Sequence, residues 1–275
     1  MMPSLILITE HSANDIYLSI LKYHITNACP SLKIFEYCTG FSSQSIFKSA
    51  AYVLINNHQL SDNTIFFIEN NIAEKKHNQP LLLVQYNNKW LLTPDNGIIG
   101  LIEKSFIQSL FRWKETISST FYAKNEMLNA LKDLIANNLK PTSNFTKIEP
   151  DDCTKIHWPS HWPSIKEHIK NNSIKQLVVP VLYIDSYGNL ILNFKKKDFD
   201  EYSKNYEISI QIAFEKLNIN SIYNEKSNAD TIALFNDAGY LEIASNGNKL
   251  APLVVHKDIY EGSNYYVLIE LKPKQ

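Results

Sequence analysis

The sequence predicts an α/β N-terminal domain with a mainly parallel sheet, followed by a smaller all-β barrel or sandwich, and three observations predict it. Up to about Leu139, short continuous apolar runs of the kind buried on both faces of a parallel sheet alternate with segments of helical period. After Gln176 the pattern becomes one of strands separated by turn residues. Between them, residues 141–175 keep neither period and gather Pro141, Pro150, Pro159 and Pro163. The implied organisation is an α/β domain over 1–140, a connecting segment over 141–175 and a β-domain over 176–275.

Each element has its own signal. Leu5 to Ile8 is a buried strand that ends at Thr9-Glu10. Asp15 opens a helix in which Ile16, Ile20, Leu21 and His24 recur at helical spacing, and Pro30 stops it. Ser43 to Leu54 is a second helix, with Ile46, Ala50, Val53 and Leu54 on one face. Ile65 to Ile68, Leu81 to Val84 and Trp90 to Leu92 read as further strands, and Asn125 to Leu139 as a closing helix through Leu128, Leu131, Leu134 and Ile135. In the β half the strands are 177–184, 190–194, 206–210, 231–235, 240–244 and 265–271, with turns at Gly188-Asn189, Ala238-Gly239, Gly247 and Gly262. In an α/β sheet, ligands sit beyond the carboxyl ends of the strands, where Glu10 and Glu69 fall.

Composition removes several classes of function. The 275 residues are 44% hydrophobic and 20% charged, and 27 basic against 28 acidic residues leave a formal charge of −1. That balance makes no electrostatic case for nucleic acid or an anionic membrane. The apolar run SLILI is far too short to span a bilayer and lacks the features of a secretory signal, so the expected location is cytoplasmic. Cys29, Cys38 and Cys153 form no CxxC pair and read as reduced thiols. In the tandem HWPSHWPS, Pro159 keeps His157 and His161 from sharing a regular helix face, so no metal site is read there, and the two Trp residues are expected to pack on a domain surface. Arg112 is the single arginine, so lysine supplies nearly all positive charge.

The stretch LLTPDNGIIG, Leu91 to Gly100, poses the question of function. Taken alone, Asn96-Gly97 between apolar runs is a strong hairpin signal. Three other stretches stand in order around it: LITEHSANDIY near the start, IDSYGNLILN from Ile184 and FNDAGYLEIASNGNKLA from Phe235. Together they resemble the S-adenosylmethionine hydroxide adenosyltransferase family, relatives of the fluorinase and chlorinase enzymes. Thr9-Glu10-His11-Ser12 is similar to that family's Thr-Asp-Phe-Gly, PDNG is kept whole, Asp185-Ser186-Tyr187-Gly188-Asn189 resembles its Asp and Phe-Gly-Asn signature, and Gly239 to Ala244 its Gly-Tyr-Leu-Glu-Ile-Ala segment.

The resemblance implies homotrimers that bind S-adenosylmethionine between an N-terminal domain and a neighbour's C-terminal domain, and that displace methionine from C5′ with water or halide, without a cofactor. Carried over position by position, it places Glu10 on the ribose hydroxyls, keeps Asp15, turns Asn96 toward the nucleoside and sets Phe121 in the binding segment. Asp185 and Asn189 reach the methionine and adenine portions, although Gly188-Asn189 also reads as a plain turn. Where hydrolase members carry aspartate, arginine and histidine, this chain has Glu69, Lys76 and Tyr122, and the loop after Glu69 has Asn70, Asn71 and Ala73 for proline and glycines.

These replacements alter the chemistry. Glu69 keeps the charge one methylene further out, Lys76 loses the planar fork, and Tyr122 is no base near neutrality unless strongly perturbed. A carboxylate at Glu69 repels a halide, which disfavours halogenation. Asp237, in the family's serine corner, disfavours a ligand carboxylate. The readings left open are a hydrolase releasing adenosine and methionine, a silent binder of S-adenosylmethionine or adenosine, and a fold kept for assembly alone.

Overall fold

The computed structural model describes residues 2–39, 45–70, 79–114, 121–156, 168–170, 174–212, 215–217, 219, 231–245, 250 and 266–274. The chain forms two compact units, Met1–His157 and Trp158–Gln275. The HWPSHWPS segment, Gly247 and Gly262 lie outside the described residues.

The first unit is a seven-stranded sheet with helices α1 (Ile16–Ala28), α2 (Ser45–Asn56) and α3 (Leu128–Ala136). Its strands are β1 (Ser4–Thr9), β2 (Lys33–Cys38), β3 (Thr64–Glu69), β4 (Leu81–Tyr86), β5 (Lys89–Pro94), β6 (Ile107–Trp113) and β7 (Phe145–Lys147), in the order β2-β1-β3-β5-β4-β6-β7. The β2, β1, β3 and β5 strands run parallel, whereas β4, β6 and β7 join antiparallel. The sheet is therefore mixed rather than mainly parallel. The cause is local: Asn87 and Asn88, at φ 46° and 63°, adopt the left-handed values of a two-residue hairpin, which leaves no room for a crossover between β4 and β5.

That hairpin tip is not the Asn-Gly pair. Strand β5 ends at Pro94, Gly97 alone of the Asn96-Gly97 pair has positive φ, at 94°, and a 3₁₀ turn follows over Ile98–Gly100. Strand β7, within the stretch expected to connect the domains, pairs with β6. Helix α1 starts where Asp15 predicts, but its buried face is Leu18, Leu21 and Ile25, while Ile16 points outward at 68% exposure. Leu5, Leu7, Phe67, Leu83, Leu92, Met127 and Leu131 share one core.

The second unit holds β8 (His168–Lys170), β9 (Ile174–Ile184), β10 (Leu190–Lys195), α4 (Lys196–Tyr202), β11 (Tyr206–Ile212), β12 (Glu215–Leu217), β13 (Thr231–Phe235), β14 (Tyr240–Ser245) and β15 (Tyr266–Pro273). These strands pair antiparallel in the order β12-β11-β15-β9-β10-β14-β13, with β8 on β9. A bridge from Ile219, just past β12, to Ala233 in β13 draws the two ends together, so the sheet is barrel-like and nearly closed. Leu177, Val179, Leu192, Phe194, Ile210, Leu241 and Ile269 fill it. Among the described residues no helix is long and apolar enough to cross a membrane.

Candidate active site

Parallel pairing sets the geometry of the first unit's polar centre. The β1–β3 register puts Thr9 beside Glu69 at the carboxyl ends of both strands. The Thr9 hydroxyl donates to Glu69 Oε2 at 2.7 Å and accepts the backbone N–H of His11 at 3.1 Å, so one side chain fixes both the carboxylate and the chain turning away from β1. Asn70, fully buried, extends the stitching: its side chain accepts from Ser49 of α2 and donates to Thr39 after β2, and Thr39 in turn donates to the Thr9 carbonyl. Four elements are thus tied at the carboxyl ends of the parallel strands, a rigid base for a site.

His11 stands beside these strand ends, between Asp15 and Glu69. Its Nδ1 lies 3.0 Å from Asp15 Oδ2 and its Nε2 lies 3.4 Å from Glu69 Oε1. Asp15 also caps α1, accepting the Tyr17 N–H at 2.8 Å, and that bond first, then the imidazole, holds its carboxyl below the ordinary aspartate value. The contact with Glu69 does most to raise His11; burial opposes it, the Asp15 contact adds to it, and the ring is pushed up to about 9 from an ordinary 6.5. Tyr17 stacks on the imidazole at 6.0 Å between centroids and Phe121 meets it edge-on at 6.5 Å, giving the cluster an aromatic wall. Glu10 lies next to this cluster at the end of β1, half-buried, with its N–H toward the Glu69 carbonyl.

Asn96 is fully buried and its amide is used within the unit. Its Nδ2 donates to the Asn70 carbonyl at 2.8 Å and its Oδ1 accepts the Ile98 N–H at 3.2 Å, which fastens the PDNG turn to the residue following Glu69. Asp95 accepts the Thr154 N–H at 2.8 Å, and burial raises its pKa above the ordinary value. Tyr122 is perturbed away from base chemistry: burial first, then the charge of Glu126, pushes its phenol far above the ordinary value. Its hydroxyl lies 3.2 Å from both the Gln79 carbonyl and Glu126 Oε1. Lys76, Asn71 and Ala73 lie outside the described residues.

In the second unit, Asp185 and Asn189 hold a turn. Asp185 Oδ1 accepts the N–H groups of Tyr187 and Asn189, at 2.8 and 2.9 Å, while the Asn189 amide bridges Asp185 Oδ2 and buried Glu242. Glu242 also takes the Asn236 amide at 3.2 Å, and Asn236 organises the next turn by accepting from Ala238 and Tyr240. Asp237 sits exposed at the tip of that turn, and Tyr187 is 75% exposed on its own. Among the described residues there is no group of three His, Cys, Asp or Glu side chains able to hold a metal ion.

Sequence reasoning missed His11. It stands where the resembled pattern has phenylalanine, and its signal was only a histidine four residues before a helix-capping aspartate and two after a strand end. Thr9, Asn70 and Glu126 were missed as working polar groups for the same reason: each acts through a neighbour in space.

The chain thus joins a mixed α/β unit, with an acid–imidazole–acid cluster at its parallel strand ends, to an antiparallel barrel-like unit. The family models for the SAM hydroxide adenosyltransferase N-terminal and C-terminal domains match residues 5–143 and 179–255, and the chain belongs to this family. It is similar to an (R)-S-adenosyl-L-methionine hydrolase of Methanocaldococcus jannaschii, with 24% identity over 265 residues covering 89% of this chain and 90% of the relative. Its fold is similar to that of an uncharacterized conserved protein from Thermotoga maritima, with a TM-score of 0.75 and 14% identity over 98% of this chain and 99% of that one. It is also similar to that of a conserved hypothetical protein from Thermus thermophilus, with a TM-score of 0.63 and 13% identity over 98% of this chain and 100% of that one.

Proposed function

We propose that this chain hydrolyses S-adenosylmethionine, water attacking C5′ and methionine departing, to release adenosine and methionine. The observation that carries the reading is the fixed Glu69 carboxylate, paired with His11 at the carboxyl ends of β1 and β3, in a chain of this family. The similarity to a named (R)-S-adenosyl-L-methionine hydrolase supports it. The sulfonium is already an excellent leaving group, so the protein's contribution is alignment of water, C5′ and sulfur together with proton removal. Glu69 holds the water, Glu10 takes the ribose hydroxyls, and a halide is excluded by the Glu69 charge. Asp185, Asn189 and Asp237 belong to the same reading as contacts of the β unit, and a homotrimer as its assembly, which light scattering tests.

Incubation with S-adenosylmethionine followed by chromatography is the direct test. Time-dependent adenosine and methionine, abolished in Glu69→Ala, is the expected result; adenosyl binding by calorimetry without product leaves a silent binder. That second reading is favoured by one observation, the Tyr122 hydroxyl occupied by Gln79 and Glu126 where the resemblance places a histidine. Absence of both binding and turnover overturns the adenosyl reading altogether.

A further inference from the structure

Two carboxylates reach one imidazole from different elements. Asp15 approaches Nδ1 from the start of α1, at 3.0 Å, and Glu69 approaches Nε2 from the end of β3, at 3.4 Å. Among the described residues those are the charged groups acting on the ring; Tyr17 of α1 and Phe121 supply aromatic contact. The three groups are not equivalent. Asp15 is fixed by the Tyr17 N–H and Glu69 Oε2 by the Thr9 hydroxyl, so the ring is oriented from its Nδ1 side while Nε2 and Glu69 Oε1 face each other.

A neutral ring whose Nδ1–H points to Asp15 turns the Nε2 lone pair toward a carboxylate oxygen. Two acceptors that close repel unless hydrogens are supplied between them. In the free protein the proton on Nε2 supplies one. A water donating one hydrogen to Nε2 and the other to Oε1 satisfies both acceptors equally well, and it leaves the water oxygen's lone pairs free.

We propose that His11 is the proton acceptor for the attacking water, oriented by Asp15 and sharing that water with Glu69, and that the positive charge of the adenosyl substrate discharges it on binding. The inference rests on the hydrolase reading above. The step balances: the water oxygen bonds to C5′, the C5′–S bond breaks with its electron pair going to sulfur, and the water proton passes to Nε2. Asp15 stabilises the imidazolium so formed, in the manner of a carboxylate behind a catalytic histidine. The free imidazole is protonated at neutrality, and a base in that state accepts nothing. A bound cation beside the cluster disfavours a second positive charge and lowers the ring toward neutrality, where a general base works best. Tyr122, pushed upward by burial and Glu126, does not compete for this role.

The test separates binding from turnover. Calorimetry at pH 7.5, in two buffers of different ionisation enthalpy, counts protons released when wild-type protein binds sinefungin, whose amine cation replaces the sulfonium and which loses no methionine. The same titration uses S-adenosylhomocysteine, the neutral thioether. The expected result is release of about half a proton or more per site with sinefungin and none with S-adenosylhomocysteine, because a ring titrating near 9 is almost fully protonated when free. His11→Phe and His11→Gln should bind sinefungin without release, with adenosine formation from S-adenosylmethionine about 10²-fold slower or worse. Wild-type binding of sinefungin with no proton released overturns the inference and leaves the hydrolase reading standing. Release undiminished in both variants assigns the proton elsewhere and also overturns it. Failure of both ligands to bind refutes the adenosyl reading, and the inference with it.

Discussion

Replacing Asn96 by alanine separates a structural amide from a ligand contact. The side chain makes two bonds, to the Asn70 carbonyl at 2.8 Å and from the Ile98 N–H at 3.2 Å, and all three residues are buried. Truncation leaves one buried acceptor and one buried donor unmade, at about 1–3 kcal/mol each, so a total loss of about 2–4 kcal/mol is expected once partial relaxation is allowed for. For a unit of this size, Met1–His157, each kcal/mol lowers the midpoint by about 2–4 °C, which gives a drop of roughly 5–15 °C. Thermal unfolding followed by the fluorescence of Trp90 and Trp113, both buried in this unit, measures it. Asn96→Asp should fall as far, because an oxygen then faces the Asn70 carbonyl. A midpoint for Asn96→Ala within about 1 °C of wild type, with adenosine affinity lost, refutes the reasoning and makes the amide a ligand contact, since the structural loss is worth many times that shift.

Three further outcomes are expected. His11 titrates above its ordinary 6.5, so its contribution to stability is complete below about 6.5 and is lost as pH rises through about 9. The ceiling on that contribution is about 3 kcal/mol, and about 1–2 kcal/mol after solvent screening, so urea midpoints of wild type should decline from pH 6 to 10 more steeply than those of His11→Phe. Gly100→Ala would set a Cβ 2.1 Å from the Ile156 carbonyl oxygen; the displaced backbone should cost about 1–3 kcal/mol in urea unfolding and expose the Thr154–Asp95 bond to exchange. Tyr122→Phe should lose about 1 kcal/mol of stability while hydrolysis stays within about threefold with an unmoved pH profile; a loss of about a hundredfold puts the hydroxyl in the chemistry.

The strands that could be read from sequence are those whose both faces are buried. Leu5 to Ile8, Ile65 to Ile68 and Leu81 to Val84 are almost wholly apolar and were legible as runs. Strand β2 was missed because it is the sheet's edge: Lys33, Phe35 and Glu36 are exposed, and its apolar residues form neither a run nor a clean alternation. Strand β6 escaped for a related reason, with Leu110 and Trp113 its fully buried residues. Apolar runs carry no direction, so parallel and antiparallel neighbours look alike until a turn such as Asn87-Asn88 is recognised. In the β half, alternation and glycine turns sufficed for six strands, and Gly188 and Gly239 do take positive φ, at 80° and 77°.

The site was legible only as far as residue-by-residue resemblance reaches, and His11 shows where that stops. Asking what became of an aspartate, an arginine and a histidine leads to Glu69, Lys76 and Tyr122, and never to the position of a phenylalanine. Electrostatics asks a different question. Glu10 and Glu69 lie at strand ends and Asp15 at the start of α1, two of the three against one ring, and adjacent carboxylates need a compensating positive charge. A histidine turned into that cluster provides it with a proton that the right substrate can remove, which a lysine or arginine would not give up near neutrality. The proposed discharge carries a pH dependence tied to the charge of the ligand: on that proposal a cationic adenosyl compound displaces a proton at neutral pH, whereas adenosine does not. Raising the pH from 7 toward 9 should therefore tighten the sulfonium ligand while leaving adenosine affinity flat, and equal slopes for the two ligands would remove His11 from the account.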